Sequence, residues 1–212
     1  MVINNSRLPR LMVVSSGVEH LSNRGLAVAQ SEALAGSVPV IFQLREKGLE
    51  AGAVHSLCLQ LSPLIKASGS LLMLNERFDI ALATGADGVH LPESACPCDI
   101  VRKAAPGLIA GGSVHGKATA VEAARAGIDY LLFGPVFPTP SKEAFGPSQG
   151  LDALQEVCRS VSIPVFAVGG ITPEKAYACI ENGAYGIAAL GPFLDTGALC
   201  ATINRFQSFI DL

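Results

Sequence analysis

Gln43-Leu44-Arg45-Glu46-Lys47 follows an apolar run, Val38-Pro39-Val40-Ile41-Phe42, that reads as a buried strand. Side chains of an extended chain alternate between faces, so Gln43, Arg45 and Lys47 fall on one face. An amide, a rigid guanidinium fork and a mobile ammonium projecting together suit a polyanion such as a diphosphate. A second group lies in a Pro-punctuated stretch, Pro138-Thr139-Pro140-Ser141-Lys142. Two hydroxyls and a lysine on such a loop can fold over an anion and exclude water. A third is made of glycines. Gly169-Gly170 precedes Thr172-Pro173-Glu174, a helix start with a Thr cap and Pro at the first helical position, and Gly191 opens a later loop. Backbone N–H groups at a glycine turn and a helix N-terminus can cradle a phosphate.

These residues need a frame that brings distant segments to one place. The chain alternates short apolar runs with longer helical patterns. The runs are 10–14, 38–42, 71–74, 88–91, 108–111, 130–133, 164–168 and 186–190. Most lack polar alternation, as expected of parallel strands covered on both faces. Helices are predicted near 21–35, 52–67, 78–84, 98–105, 117–126, 150–161, 173–182 and 195–210, several stopping at a glycine, as at Gly85, Gly127 and Gly183. Thr-Gly-Ala-Asp at 84–87 and Ala-Gly-Ile-Asp at 126–129 repeat the same joint. Eight such units predict an α/β fold, a (β/α)₈ TIM barrel occupying 1–212 as a single domain. An open doubly wound sheet is the alternative, but Ser15-Ser16-Gly17-Val18 after the first strand is not a dinucleotide-binding loop.

In a (β/α)₈ barrel the site lies at the C-terminal ends of the strands. Those ends carry Gln43, Arg45 and Lys47, then Asn75 and Glu76, then His90 and Glu93, then Ser113 and His115. Thr139, Ser141 and Lys142 follow the sixth strand, Gly169 and Gly170 the seventh, and Gly191 the eighth. Two anion regions result, a side-chain cluster (Gln43, Arg45, Lys47, Lys142) and a backbone cradle (Gly169, Gly170, Gly191).

The 212 residues are half hydrophobic and 16% charged, which excludes a disordered chain. A net charge of -3 gives no reason to expect nucleic acid or a membrane surface as partner. No run is long enough to span a membrane, and the N-terminus lacks a signal-peptide pattern, so a cytoplasmic protein is expected. The six cysteines are scattered, four of them in helical patterns. The close pair Cys96-Pro97-Cys98 has no second pair at zinc spacing.

Gln43-Leu44-Arg45-Glu46-Lys47, Gly85-Ala86-Asp87-Gly88-Val89-His90-Leu91, Gly134-Pro135-Val136-Phe137-Pro138-Thr139 and Ala167-Val168-Gly169-Gly170-Ile171 together resemble the thiamine-phosphate synthase and TenI superfamily. The resemblance covers nearly the whole chain. It implies a thiamine biosynthesis enzyme that couples a hydroxymethylpyrimidine diphosphate to a thiazole phosphate and releases pyrophosphate. It implies that Gln43, Arg45, Lys47, Asn75, Thr139, Ser141 and Lys142 surround the diphosphate. The thiazole phosphate would lie at Gly169, Gly170 and Gly191, with Ser113 and His90 in the pocket and His115, Lys142 and Arg45 in catalytic roles. It also implies Mg²⁺. The family's Asn-Asp pair is Asn75-Glu76 here, and Ala95 stands at its second metal Asp, leaving Glu76 and Glu93 as the candidate metal ligands.

The TenI branch resembles a set of thiazole phosphate tautomerases, in which His115 would act as acid and base. A non-catalytic binder of thiazole or thiamine phosphates is a third reading. Phosphorylated small molecules are the expected partners, and a homodimer the expected assembly.

Overall fold

Eight short strands close into one parallel barrel in chain order. They are β1 (Leu11–Val14), β2 (Ile41–Leu44), β3 (Leu71–Asn75), β4 (Gly88–Leu91), β5 (Ile109–Val114), β6 (Tyr130–Phe133), β7 (Val165–Val168) and β8 (Gly186–Ala189). The computed structural model describes residues 8–15, 25–139 and 147–211. Eight α-helices alternate with the strands: α1 (Gly25–Ala33), α2 (Ala51–Ala67), α3 (Phe78–Thr84), α4 (Cys98–Ala104), α5 (Lys117–Arg125), α6 (Gly150–Ser160), α7 (Pro173–Glu181) and α8 (Leu199–Ile210).

Two apolar layers follow from the strand period of two. Leu11, Val13, Phe42, Leu72, Leu74, Val89, Leu131 and Ile187 face outward and pack with the helices. Met12, Val14, Ile41, Met73, Tyr130, Leu132, Phe166 and Ala188 fill the barrel. An ideal Cβ at Gly111 would sit 2.1 Å from the Tyr130 ring, so the missing side chain is what admits that tyrosine.

The helix stops predicted at Gly85, Gly127 and Gly183 are present, with φ of 67°, 89° and 92°. Past the first two, the aspartate of the repeated joint ties one strand to the next. The Asp87 N–H donates to the Leu72 carbonyl at 2.9 Å, and Asp87 Oδ2 accepts the Leu72 N–H at 2.8 Å. Asp129 makes the same reciprocal pair with Ala110 and also meets Arg102. At the third joint Tyr185 stands in the aspartate's place, and its hydroxyl donates to the Leu8 carbonyl.

Three boundaries differ from the sequence-based expectation by three or more residues. β2 begins at Ile41 rather than at 38, because Pro39 has no N–H for the ladder and the Val40 N–H is taken by the Ser70 hydroxyl. The shift brings Gln43 inside the strand. β5 runs on to Val114, so that Ser113 pairs in register with Leu132. α8 begins at Leu199 rather than 195, because Asp195 Oδ1 accepts the N–H groups of Gly197 and Ala198 in an Asx-type turn. Residues 21–24 of the first expected helix lie outside the described residues.

Candidate active site

The uppermost inward positions of β2 to β5 are polar. They are Gln43, Asn75, His90 and Ser113, one from each of four neighbouring strands. Val14, Leu132 and Val168 stand at the corresponding level on β1, β6 and β7. The barrel mouth therefore has a polar half and an apolar half, suited to a ligand with a charged end and an aromatic body.

Gln43 is buried, and its Nε2 donates to Asn75 Oδ1 at 3.3 Å. His90 is 2% exposed and bonded on both ring nitrogens. Nε2 lies 2.8 Å from the Ser113 hydroxyl and Nδ1 lies 3.3 Å from the Tyr130 hydroxyl. Burial first, and the nearby Arg45 charge second, push the His90 pKa down from 6.5 to about 3. The imidazole is therefore neutral near pH 7 and holds the Ser113 hydroxyl in place rather than delivering a proton. Burial drives the Tyr130 pKa upward, so that phenol stays protonated.

Arg45 lies just beyond β2 and is half-buried, while Lys47 sits in an exposed turn. The extended face expected for all three side chains thus ends before Lys47. Asn75 closes β3, and Glu76 follows it at φ 64°, a left-handed conformation rare outside glycine, with its N–H donated to the His90 carbonyl at 2.9 Å. Glu76 and Glu93 are both exposed.

His115 is an exposed residue one position past β5, and its Nδ1 lies 2.6 Å from the Gly134 carbonyl. In the neutral ring that contact makes Nδ1 the donor and leaves Nε2 as the acceptor nitrogen.

The three glycines expected to form a cradle differ in structural origin. Segment 136–137 runs against 168–169, with the N–H of Val136 donated to the Val168 carbonyl and that of Phe137 to the Gly169 carbonyl. A Cβ at Gly169 would lie 2.5 Å from Pro135, and one at Gly170 would lie 2.5 Å from the Pro138 carbonyl. These two glycines are demanded by loop packing and by φ of 98° and 64°. At Gly191 a Cβ would meet nothing within 4 Å. Thr172 occupies the N-cap of α7 without bonding the helix backbone, and its hydroxyl engages Glu174 instead.

Thr139 is half-buried, whereas Ser141 and Lys142 lie outside the described residues. Two features were missed from the sequence. Lys175, in the first turn of α7, donates to the Gly170 carbonyl at 3.3 Å and stands 4.9 Å from the Phe137 ring centre. Its position in a helix's first turn beside Gly170 was the available signal. The other is the buried contact of Ser15 with Glu46. No helix among the described residues is long and apolar enough to cross a membrane.

A family model described as thiamine monophosphate synthase, TMP-TENI, matches residues 11–192. A thiamine-phosphate synthase from Roseiflexus castenholzii is 42% identical over 176 residues, covering 79% of this chain and 77% of the relative. One from Methanoculleus marisnigri is 39% identical over 179 residues, covering 84% of each. The solved thiamine phosphate pyrophosphorylase from Pyrococcus furiosus superposes with a TM-score of 0.82 at 28% identity, covering 98% of this chain and 97% of that one. A match that spans the barrel from its first strand to the loop after its last makes this chain a member of the thiamine monophosphate synthase family.

Proposed function

We propose that the chain is a thiamine-phosphate synthase, coupling hydroxymethylpyrimidine diphosphate to thiazole phosphate. The bond from the pyrimidine methylene carbon to the diphosphate oxygen breaks, and its electron pair leaves with pyrophosphate. The thiazole nitrogen lone pair then forms the new carbon–nitrogen bond. The observation that carries this reading is Arg45 at the end of β2, beside the buried Gln43 and His90 and the half-buried Asn75, near enough for its charge to act on the imidazole. A fixed cation there stabilises charge that develops on a departing diphosphate more than charge spread over the ground state. The neutral His90 holds Ser113 toward the same polar half, and the apolar half suits the flat rings.

Magnesium fits this site only in part. No three His, Cys, Asp or Glu side chains gather among the described residues. Mg²⁺ commonly takes one or two carboxylates and completes its shell with substrate phosphates and water. Glu76 and Glu93, at neighbouring strand ends, are the residues that would hold it with the diphosphate. When bound, it would neutralise charge on the leaving group.

The test is incubation of both substrates with Mg²⁺ or Mn²⁺. Thiamine phosphate and pyrophosphate are expected in equal amounts; no product across a wide range of either metal would sink the reading. A thiazole phosphate tautomerase is the second reading, favoured by the His115 ring orientation against Gly134. An isomerisation rate unchanged in His115→Ala would eliminate it.

A further inference from the structure

Ser15 and Glu46 lie where β1 and β2 run out, and no step above uses them. Ser15 is fully buried and Glu46 is 6% exposed. The Ser15 N–H donates to the Gln43 carbonyl at 3.0 Å, which carries the β1–β2 ladder one residue further. The Arg45 N–H then turns to the Ser15 hydroxyl oxygen at 2.8 Å. That hydroxyl donates in turn to Glu46 Oε1 in a short hydrogen bond. One serine thus holds the carbonyl of 43, the amide of 45 and the carboxylate of 46.

A carboxylate withdrawn from water is unfavourable unless it is well bonded, and an apolar side chain would fill the same place at less cost. The bonding suggests what Glu46 does. A hydroxyl that donates to a carboxylate becomes a better acceptor, because successive hydrogen bonds polarise one another. Glu46 therefore strengthens the hold of Ser15 on the Arg45 amide. Fixing that amide fixes the direction in which the Arg45 side chain leaves the backbone, on the face opposite Glu46.

We propose that Ser15 and Glu46 form a positioning pair that aims Arg45 at the diphosphate, and so set affinity for the diphosphate substrate but not for the monophosphate. The inference rests on the reading that Arg45 meets the diphosphate. Neither residue touches substrate, so the effect must pass through Arg45. Calorimetry with inorganic pyrophosphate, and KM for each substrate, give the readout. Ser15→Ala and Glu46→Ala are each expected to weaken pyrophosphate and raise KM for the diphosphate substrate about tenfold. KM for the monophosphate substrate should stay within about twofold, since its contacts lie elsewhere on the rim. Combined with Arg45→Ala, either change should add nothing beyond Arg45→Ala alone, because residues acting through one group are non-additive. An additive double variant, an equal rise in both KM values, or unchanged pyrophosphate affinity would overturn the inference. Ser15→Ala removes one oxygen and serves alone if Glu46→Ala does not fold. If Arg45→Ala itself leaves pyrophosphate affinity unchanged, the proposed function fails and the positioning role falls with it.

Discussion

The Ser113 hydroxyl lies 2.8 Å from Nε2 of His90, and the other nitrogen of that ring faces the Tyr130 hydroxyl. Three strands thus share one hydrogen-bonded chain centred on the buried His90. The chain is satisfied with the imidazole neutral, and burial together with the nearby Arg45 charge disfavours a charged ring.

A pH dependence of stability follows. The His90 pKa falls from 6.5 to about 3 on folding, so the unfolded chain binds more protons between those values. The contribution is fully present above pH 6.5 and is lost as pH falls toward 3, with a total on the order of a few kcal/mol. Thermal melts from pH 7 to pH 4 should show His90→Gln starting lower and then declining less steeply than the parent. Parallel slopes would mean that His90 does not carry the effect.

Three glycines should separate packing from ligand binding. Gly111→Ala drives a methyl into the Tyr130 ring and is expected to cost about 1–3 kcal/mol in denaturant unfolding. Gly170→Ala meets backbone at a positive φ and should also destabilise. Gly191→Ala meets no protein atom and should change stability by less than about 0.5 kcal/mol, while weakening the thiazole phosphate. Unchanged monophosphate affinity in that variant would remove Gly191 from the cradle.

The two proposed anion regions should be separable by charge. Arg45→Ala should weaken a diphosphate ligand by about 1.5–3 kcal/mol, the worth of one charge-assisted contact. The same change should leave thiazole monophosphate affinity near the parental value. Titration calorimetry with each ligand gives both numbers, and equal losses would contradict two regions.

The repeated joints make a stability prediction independent of function. Asp87→Ala and Asp129→Ala each leave a strand N–H without its carboxylate partner and should each cost about 1–3 kcal/mol. The two carboxylates serve different strand N–H groups, those of Leu72 and Ala110, so the double variant should be near the sum. Urea unfolding would show it, and a strong departure from additivity would indicate coupling between the joints.

The barrel was legible because its strands are continuous apolar runs and its helices stop at glycines, two strictly local signals. Gln43, Asn75, His90 and Ser113 were legible as strand-end polar residues. Their bonding was not, since the Tyr130 partner of His90 lies on a strand two positions away in the barrel. Glu46 reads from alternation as an ordinary charge facing away from the site, and only the buried Ser15 across the ladder shows otherwise. Lys175 stayed hidden because the fold back of segment 136–138 onto 168–170 is a tertiary event. Ser141 and Lys142 remain sequence-based candidates outside the described residues.

The reaction proposed for the chain is transfer of a pyrimidine group from diphosphate to thiazole phosphate at the polar half of the barrel mouth. Its most direct measurement is product analysis after incubation of the parent and Arg45→Ala with both substrates and Mg²⁺. The expected result is thiamine phosphate with matching pyrophosphate from the parent, and a kcat/KM for the diphosphate substrate lower by roughly tenfold to a hundredfold in the variant. No thiamine phosphate from the parent, or an Arg45→Ala enzyme as efficient as the parent, would contradict it.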